Sequence, residues 1–319
     1  MKNIFKLNKT FKVALFAALG LVVMSSLYSC DFEYDLPETN SIADLTPPTA
    51  YFTYVSVGED YQNIKFSNLS SSATTFLWDF GGGATSTDEN PTYTFTGGVG
   101  SYPVKLTASD ANGESSTITI DVKLVDVFMP INPTILNGDF NLGATNWDFT
   151  TFTGGTTSPF NTSGDGSWLA IDGNSTGAKT AGAKWTKSTS AGAYLSSSSR
   201  YAYQAITVSP TKPFRTVKYT LEYEYAIKTP TEQSGEAPGG NRIIAEILGG
   251  QFTDGANAIV SSNAGPLARH IGTEVLGKTT FTTVKIDFTS NATGLVSILI
   301  YGVTAVDSYV DNVKVYPKR

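Results

Sequence analysis

The feature that most constrains this chain is its rhythm of short apolar alternations, each closed by Gly, Asn, Asp, Ser or Pro, which runs from about residue 49 to the C-terminus. Residues 51–57, 63–66, 75–80, 93–95, 101–109 and 116–124 read as strands, and so do 203–208, 216–227, 242–248, 282–288, 294–301 and 309–316. Side chains along a strand point alternately to its two faces, so a period of two buries one face of a sheet. In 216–227, Tyr219, Leu221, Tyr223, Tyr225 and Ile227 share one face, while Lys218, Thr220, Glu222 and Glu224 share the other. Residues 294–301 are almost wholly apolar and predict a central strand covered on both faces. Length adds the division: 319 residues, at about 150 per domain, make two domains. The fold class expected is therefore all-β, with two sandwiches in series.

Composition excludes several functions. One Cys and one His cannot build a thiolate cluster or a multi-His zinc site. A formal net charge of -6 argues against nucleic acid as a partner. The start of the chain is an address rather than a fold. Lys2, Lys6, Lys9 and Lys12 precede an apolar run at 13–24, too short for the roughly 20 residues that span a bilayer. The run ends in Leu27-Tyr28-Ser29-Cys30, which resembles the bacterial lipoprotein box, with a bulkier residue than usual at Tyr28. The resemblance implies a signal peptide at 1–29 and an acylated Cys30 as the outer-membrane lipid anchor. Residues 30–46 form an acidic, Pro-containing tether, and Asp31, Glu33, Asp35 and Glu38 resemble the export signal of Bacteroidetes surface lipoproteins. A cell-surface location is the expectation.

Residues 47–125 carry an ordered set of motifs. Trp78-Asp79-Phe80-Gly81-Gly82-Gly83 comes first, followed by Asn90-Pro91-Thr92-Tyr93, then Gly100-Ser101-Tyr102-Pro103-Val104, then Ser109-Asp110 and Gly113. This resembles a PKD domain, which implies an immunoglobulin-like β-sandwich acting as a spacer. Gly82 stands where that family usually has Asp. Trp78 and Phe80 alternate around Asp79, so both rings are expected in the core with the carboxylate at the turn. Residues 126–131 are a linker, with Pro130 and Pro133 marking the boundary.

Residues 132–319 carry Leu136-Asn137-Gly138-Asp139-Phe140 and Trp147, then Tyr203-Gln204-Ala205-Ile206, then Lys218-Tyr219-Thr220-Leu221 and the closing Tyr309-Val310-Asp311-Asn312-Val313. In that order they resemble the galactose-binding-like jelly rolls of carbohydrate-binding modules, nearest to the family 4/9 type. The resemblance implies a larger jelly-roll β-sandwich. It also implies a structural Ca²⁺ where first and last strands meet, held by Asp139, Asn141 and Asp311 with Asp172 as a further ligand. Asn141 stands where the family often has Glu.

Aromatic rings stack on the C–H faces of sugars at small entropic cost, and a few planar polar groups pair with the hydroxyls. Trp168, Trp185, Tyr194, Tyr201 and Tyr203 are the candidate rings, and Arg242, Glu246 and His270 the candidate polar partners. Parity assigns Gln204, Ile206 and Val208 to the core and turns Tyr201 and Tyr203 the other way. Ile243, Ala245 and Ile247 likewise turn Arg242 and Glu246 outward. Trp147 is expected in the core. No Gly-Xaa-Ser-Xaa-Gly elbow lies beside Arg269-His270-Ile271, and none of the strands read above carries Glu-Xaa-Asp-Xaa-Xaa-Glu, so the chain is not expected to be an enzyme.

The arrangement as a whole resembles the surface glycan-binding lipoproteins that serve SusC/SusD-type uptake systems, which implies a polysaccharide ligand, with a β-1,3-glucan such as laminarin as the first expectation. The alternatives are a structural or adhesive surface protein with a protein partner, and a glycoside hydrolase.

Overall fold

The computed structural model describes residues 45–148, 160–163, 182–185 and 200–318. The chain forms two compact units, the first built from most of the residues up to 124 and the second from 125 onward with two short excursions of the first half.

The first unit is a sandwich. One sheet has the order β1 (Phe52–Val57), β2 (Asp60–Asn68), β5 (Thr92–Thr94); the other runs β4 (Ala84–Ser86), β3 (Thr75–Gly81), β6 (Gly100–Ser109), β7 (Ser115–Leu124). Phe52 and Phe66 from the first sheet meet Trp78 from the second at ring-centroid distances of 5.1 and 5.4 Å. Trp78 and Phe80 are buried around Asp79, whose carboxylate accepts the Gly81 amide at 2.9 Å. The turn that follows needs positive φ at Gly81, Gly82 and Gly83 (86°, 61° and 86°), a region closed to most side chains.

The second unit is a larger sandwich of antiparallel strands. Sheet I has the order β10 (Tyr201–Thr207), β15 (Leu295–Val303), β12 (Arg242–Leu248), β13 (Ala268–Gly272). Sheet II runs β14 (Thr282–Thr289), β11 (Lys218–Ile227), β16 (Ser308–Pro317), β9 (Gly182–Trp185), β8 (Asn161–Ser163). The main core lies between them. Tyr219, Leu221, Tyr223, Tyr225 and Ile227 of β11 meet Ile243, Ala245 and Ile247 of β12 and Val296, Ile298 and Ile300 of β15. Strand β15 is central, as its unbroken apolar run predicts, and its other face, Leu299, Tyr301 and Val303, enters a second core.

That second core is roofed by a helix the strand reading did not anticipate, α1 (Gly255–Ala264). Asp254 caps it by accepting the Ala256 amide at 2.9 Å. The helix buries Gly255, Ala258 and Ser262, a stripe of very small residues at helical spacing.

Loop 137–147 packs against the main core. Trp147 is buried in the main core against Phe140, and its indole donates to the Asn137 carbonyl at 2.7 Å. Gln204 clamps the loop, accepting from Leu136 N and donating to the Leu136 and Asn146 carbonyls. The Val313 amide donates to Gly138 O at 2.8 Å, and a Cβ on Gly138 would lie 2.3 Å from Val313 O, so this crossing of first and last segments requires glycine.

Residues 126–131, expected as a linker, are held by the second unit. Arg215 grips Asp126 in a bidentate pair at 2.7 and 2.9 Å and stacks its guanidinium 4.1 Å from the Phe128 ring centroid. Ser209 and Tyr219 hydrogen-bond the Ile131 backbone.

Candidate functional site

Parity assigned Tyr201, Tyr203, Arg242 and Glu246 to the outward face of sheet I, and they lie there. Solvent does not reach them. Tyr201 and Tyr203 belong to the second core with Ile244, Leu299, Tyr301 and Ala258 of α1. Each polar tip is occupied within the fold. The Tyr201 hydroxyl donates to Asp148, and the Tyr203 hydroxyl accepts the Phe252 amide at 2.6 Å. Burial raises the Tyr203 pKa. Arg242 donates to the Pro238 and Gly240 carbonyls at 3.0 and 2.7 Å and so pins the preceding loop.

Glu246 is 0% exposed, with Oε1 accepting from Arg269 Nε at 2.6 Å and from the Tyr301 hydroxyl at 3.0 Å. Arg269 continues to the Ser262 carbonyl of α1 at 2.8 Å. Glu246, through Arg269, thus helps hold the roof on sheet I.

Trp185 is also corrected. It is fully buried in the main core, and its indole donates to Arg200 O at 3.0 Å. Its position in a Ser/Thr/Gly-rich stretch suggested exposure, but β9 pairs with β16 and turns the ring inward. His270 sits on the edge strand β13 opposite Ala245 and points its ring at the core margin, with Nδ1 2.8 Å from the Tyr223 hydroxyl. Burial lowers its pKa, partly offset by Glu274. Trp168, Tyr194, Asp172 and Cys30 lie outside the described residues.

The expected calcium ligands are not assembled among the described residues. Asp139 Oδ2 accepts from the Asn141 side-chain amide at 2.6 Å, and Asp311 is buried in β16 with Oδ1 accepting the Asn312 amide at 2.8 Å. No group of three or more His, Cys, Asp or Glu side chains suited to a metal forms among those residues. Ca²⁺ takes six to eight oxygens, and Asp172 of the expected set lies outside the described residues.

The open surface is on the other sheet. Among the described residues from 125 onward, Tyr316 is the one Tyr or Trp ring that is not buried. Val313 and Val315 of β16 enter the core, so alternation sends Lys314 and Tyr316 outward.

Tyr316 stands between two depressions that share it and Asn132. One, of about 620 Å³, is walled by Asn137, Asp139, Asn312 and Lys314. The other, of about 760 Å³, is walled by Met129, Pro130, Thr220 and Lys318.

Around the ring the face is a lattice of cross-strand pairs. The Tyr316 hydroxyl donates to Glu222 Oε2 at 2.7 Å, Lys285 approaches the same oxygen at 3.2 Å, and Lys314 lies 3.9 Å from Oε1. In the neighbouring row Thr220 donates to Asp287 at 2.7 Å and Lys318 pairs with that carboxylate. The Tyr316 bond holds the Glu222 carboxyl below the usual carboxylate range and pushes the Tyr316 hydroxyl up. Tyr316, Asn132 and Thr220 were not among the residues the sequence singled out, although the Val313/Val315 alternation carried the signal for Tyr316.

Known proteins resemble the two units unequally. Residues 46–124 match the PKD domain family model. A microbial collagenase of Vibrio alginolyticus is 33% identical over 100 residues, covering 30% of this chain and 12% of that protein. A pre-pro-metalloprotease PrtV of Vibrio cholerae is 41% identical over 58 residues, 18% of this chain and 6% of that one. The chain therefore spans only a small part of these relatives. The crystal structure of the PrtV PKD1 domain is 36% identical with a TM-score of 0.22, covering 24% of this chain and 96% of that one. A carbohydrate-binding module of the β-sandwich superfamily is 18% identical with a TM-score of 0.23, covering 84% of this chain and 98% of that one.

Proposed function

We propose that the second sandwich binds a polysaccharide without altering it, with the face of sheet II around Tyr316 as the contact surface. The observation that carries this reading is the half-exposed Tyr316 ring between two depressions walled by amide, hydroxyl and ammonium groups. The ring offers an apolar plane to the C–H face of a sugar, and the exposed Asn132 offers a planar amide to its oxygens. The carboxylates nearby are engaged, Glu222 by Tyr316 and two lysines and Asp139 by Asn141, an arrangement suited to binding rather than to paired acid–base work.

The ligand proposed first is a β-glucan such as laminarin. The Cys30 box and the acidic run behind it support a lipid-anchored outer-membrane protein facing the medium, with the PKD domain as spacer and a SusC/SusD-type uptake system as receiver of the captured chain.

The test is affinity electrophoresis through gels containing laminarin and a panel of other polysaccharides. Wild-type protein is retarded by at least one glycan, and Tyr316→Ala is not. Migration of the wild type unaffected by every glycan overturns the reading. Residues Val125, Val127, Met129 and Ile131, each exposed and alternating along one extended segment, favour a protein partner as the second reading. Binding to cells without glycan preference would support it.

A further inference from the structure

We propose that Glu222 is the positioning residue of this surface, holding the Tyr316 ring in the orientation that receives the sugar. The inference deepens the carbohydrate reading and rests on it.

A tyrosine on the open face of a strand near its end has two side-chain torsions and, left alone, samples several rotamers. Each must be given up when a ligand stacks on the ring. Tyr316 is one residue from the end of β16 and is not packed into the core. What fixes it is the bond from its hydroxyl to Glu222 Oε2 at 2.7 Å, a charge-assisted contact.

Glu222 is itself fixed from two sides. Lys285 of β14 lies directly opposite it and reaches Oε2 at 3.2 Å, while Lys314 of β16 lies opposite on the other side, 3.9 Å from Oε1. The carboxylate therefore ties three strands together at the point where the ring is anchored. The depressed Glu222 pKa agrees with a carboxylate that stays ionised and keeps accepting.

The backbone fits the same role. Strand register slips between Glu222 and Glu224 where β11 pairs with β16, and Asn312 takes positive φ at 54° there. Asn312 donates its side-chain amide to Glu224 at 2.9 Å. The irregularity divides β16. Beyond it the strand carries Lys314 and Tyr316 on the open side, whereas Tyr309 and Asp311 before it are buried. The ring and its anchor stand together on the far side of that break.

The experiment compares Glu222→Ala, Glu222→Gln, Tyr316→Phe and Tyr316→Ala in two readouts, with circular dichroism melts as the check on folding. The first is ligand-free: the ring ¹H–¹³C signals of Tyr316, assigned by their loss in the Phe variant. They shift in Glu222→Ala and return towards wild type in Glu222→Gln, whose side-chain oxygen still accepts. The second is retardation in laminarin gels, or in gels of whichever glycan retards the wild type. Tyr316→Ala loses about tenfold or more in affinity, Glu222→Ala and Tyr316→Phe lose about fivefold, and Glu222→Gln stays near wild type.

Ring signals unchanged in Glu222→Ala overturn the proposal whether or not a glycan is found. Full affinity in a folded Glu222→Ala overturns it while leaving carbohydrate binding intact. Absence of wild-type retardation on every glycan overturns both.

Discussion

The two outward faces of the second sandwich began with similar sequence credentials and ended differently. Sheet I turns Tyr201, Tyr203, Arg242 and Glu246 away from the main core; α1 and the Phe252 loop meet Tyr203 and the Glu246–Arg269 pair, and the 238–240 loop meets Arg242. Sheet II turns Thr220, Glu222, Lys314 and Tyr316 away from the same core, and they line open depressions or pair across the surface. Alternation tells which side of a sheet a residue takes. Whether that side meets water depends on what the rest of the chain lays over it. An aromatic on the non-core face is thus either a platform or the floor of a second core, and only what covers it distinguishes the two. Tyr201 and Tyr203 lie in a second core with Ala258 of α1, whereas Tyr316 has no such cover among the described residues.

Substitutions sharpen the contrast. The largest effect is expected for Trp185→Ala, which empties a fully buried indole and lowers unfolding free energy by about 3–5 kcal/mol in denaturant titrations. A near-neutral result would mean the ring is not in the core. Next comes Glu246→Ala, which leaves Arg269 and Tyr301 without their shared acceptor under α1, at about 3 kcal/mol. If sheet I were an open binding face, the change would instead cost affinity and leave the melt alone. Tyr316→Ala is the mirror case, with stability within about 0.5 kcal/mol of wild type and binding weakened about tenfold.

His270 adds a smaller, pH-dependent term. Burial favours its neutral form, so the folded pKa lies below the unfolded one. Its contribution is complete above the ordinary histidine value of about 6.5 and is lost as pH falls through the depressed folded value. Urea midpoints followed from pH 8 to pH 5 decline for the wild type, and His270→Asn flattens that part of the curve. EDTA is expected to do least, leaving the melting temperature unchanged. A drop reversed by added Ca²⁺ would bring Asp172 back as a ligand alongside Asp139 and Asp311.

Much of the architecture was readable because strand parity is a local property. Trp78 and Phe80 around Asp79, the five apolar side chains of β11, and the doubly buried β15 all follow from period two. The helix was not readable for the opposite reason. Its buried stripe is Gly255, Ala258 and Ser262, side chains too small to register as apolar, while Val260 is exposed. Missing the helix meant missing the roof, and Tyr201 and Tyr203 were read as a platform as a result. Trp185 was misjudged from its Ser/Thr/Gly-rich neighbours, since a four-residue strand leaves little alternation to detect. Tyr316 was legible in its own strand but was outweighed by indoles in loops.

The stitch between Gly138 and Val313 has a practical consequence. It couples the entry segment to β16 through a backbone approach with no room for a methyl group, so Gly138→Ala would push two distant stretches of sequence apart at once.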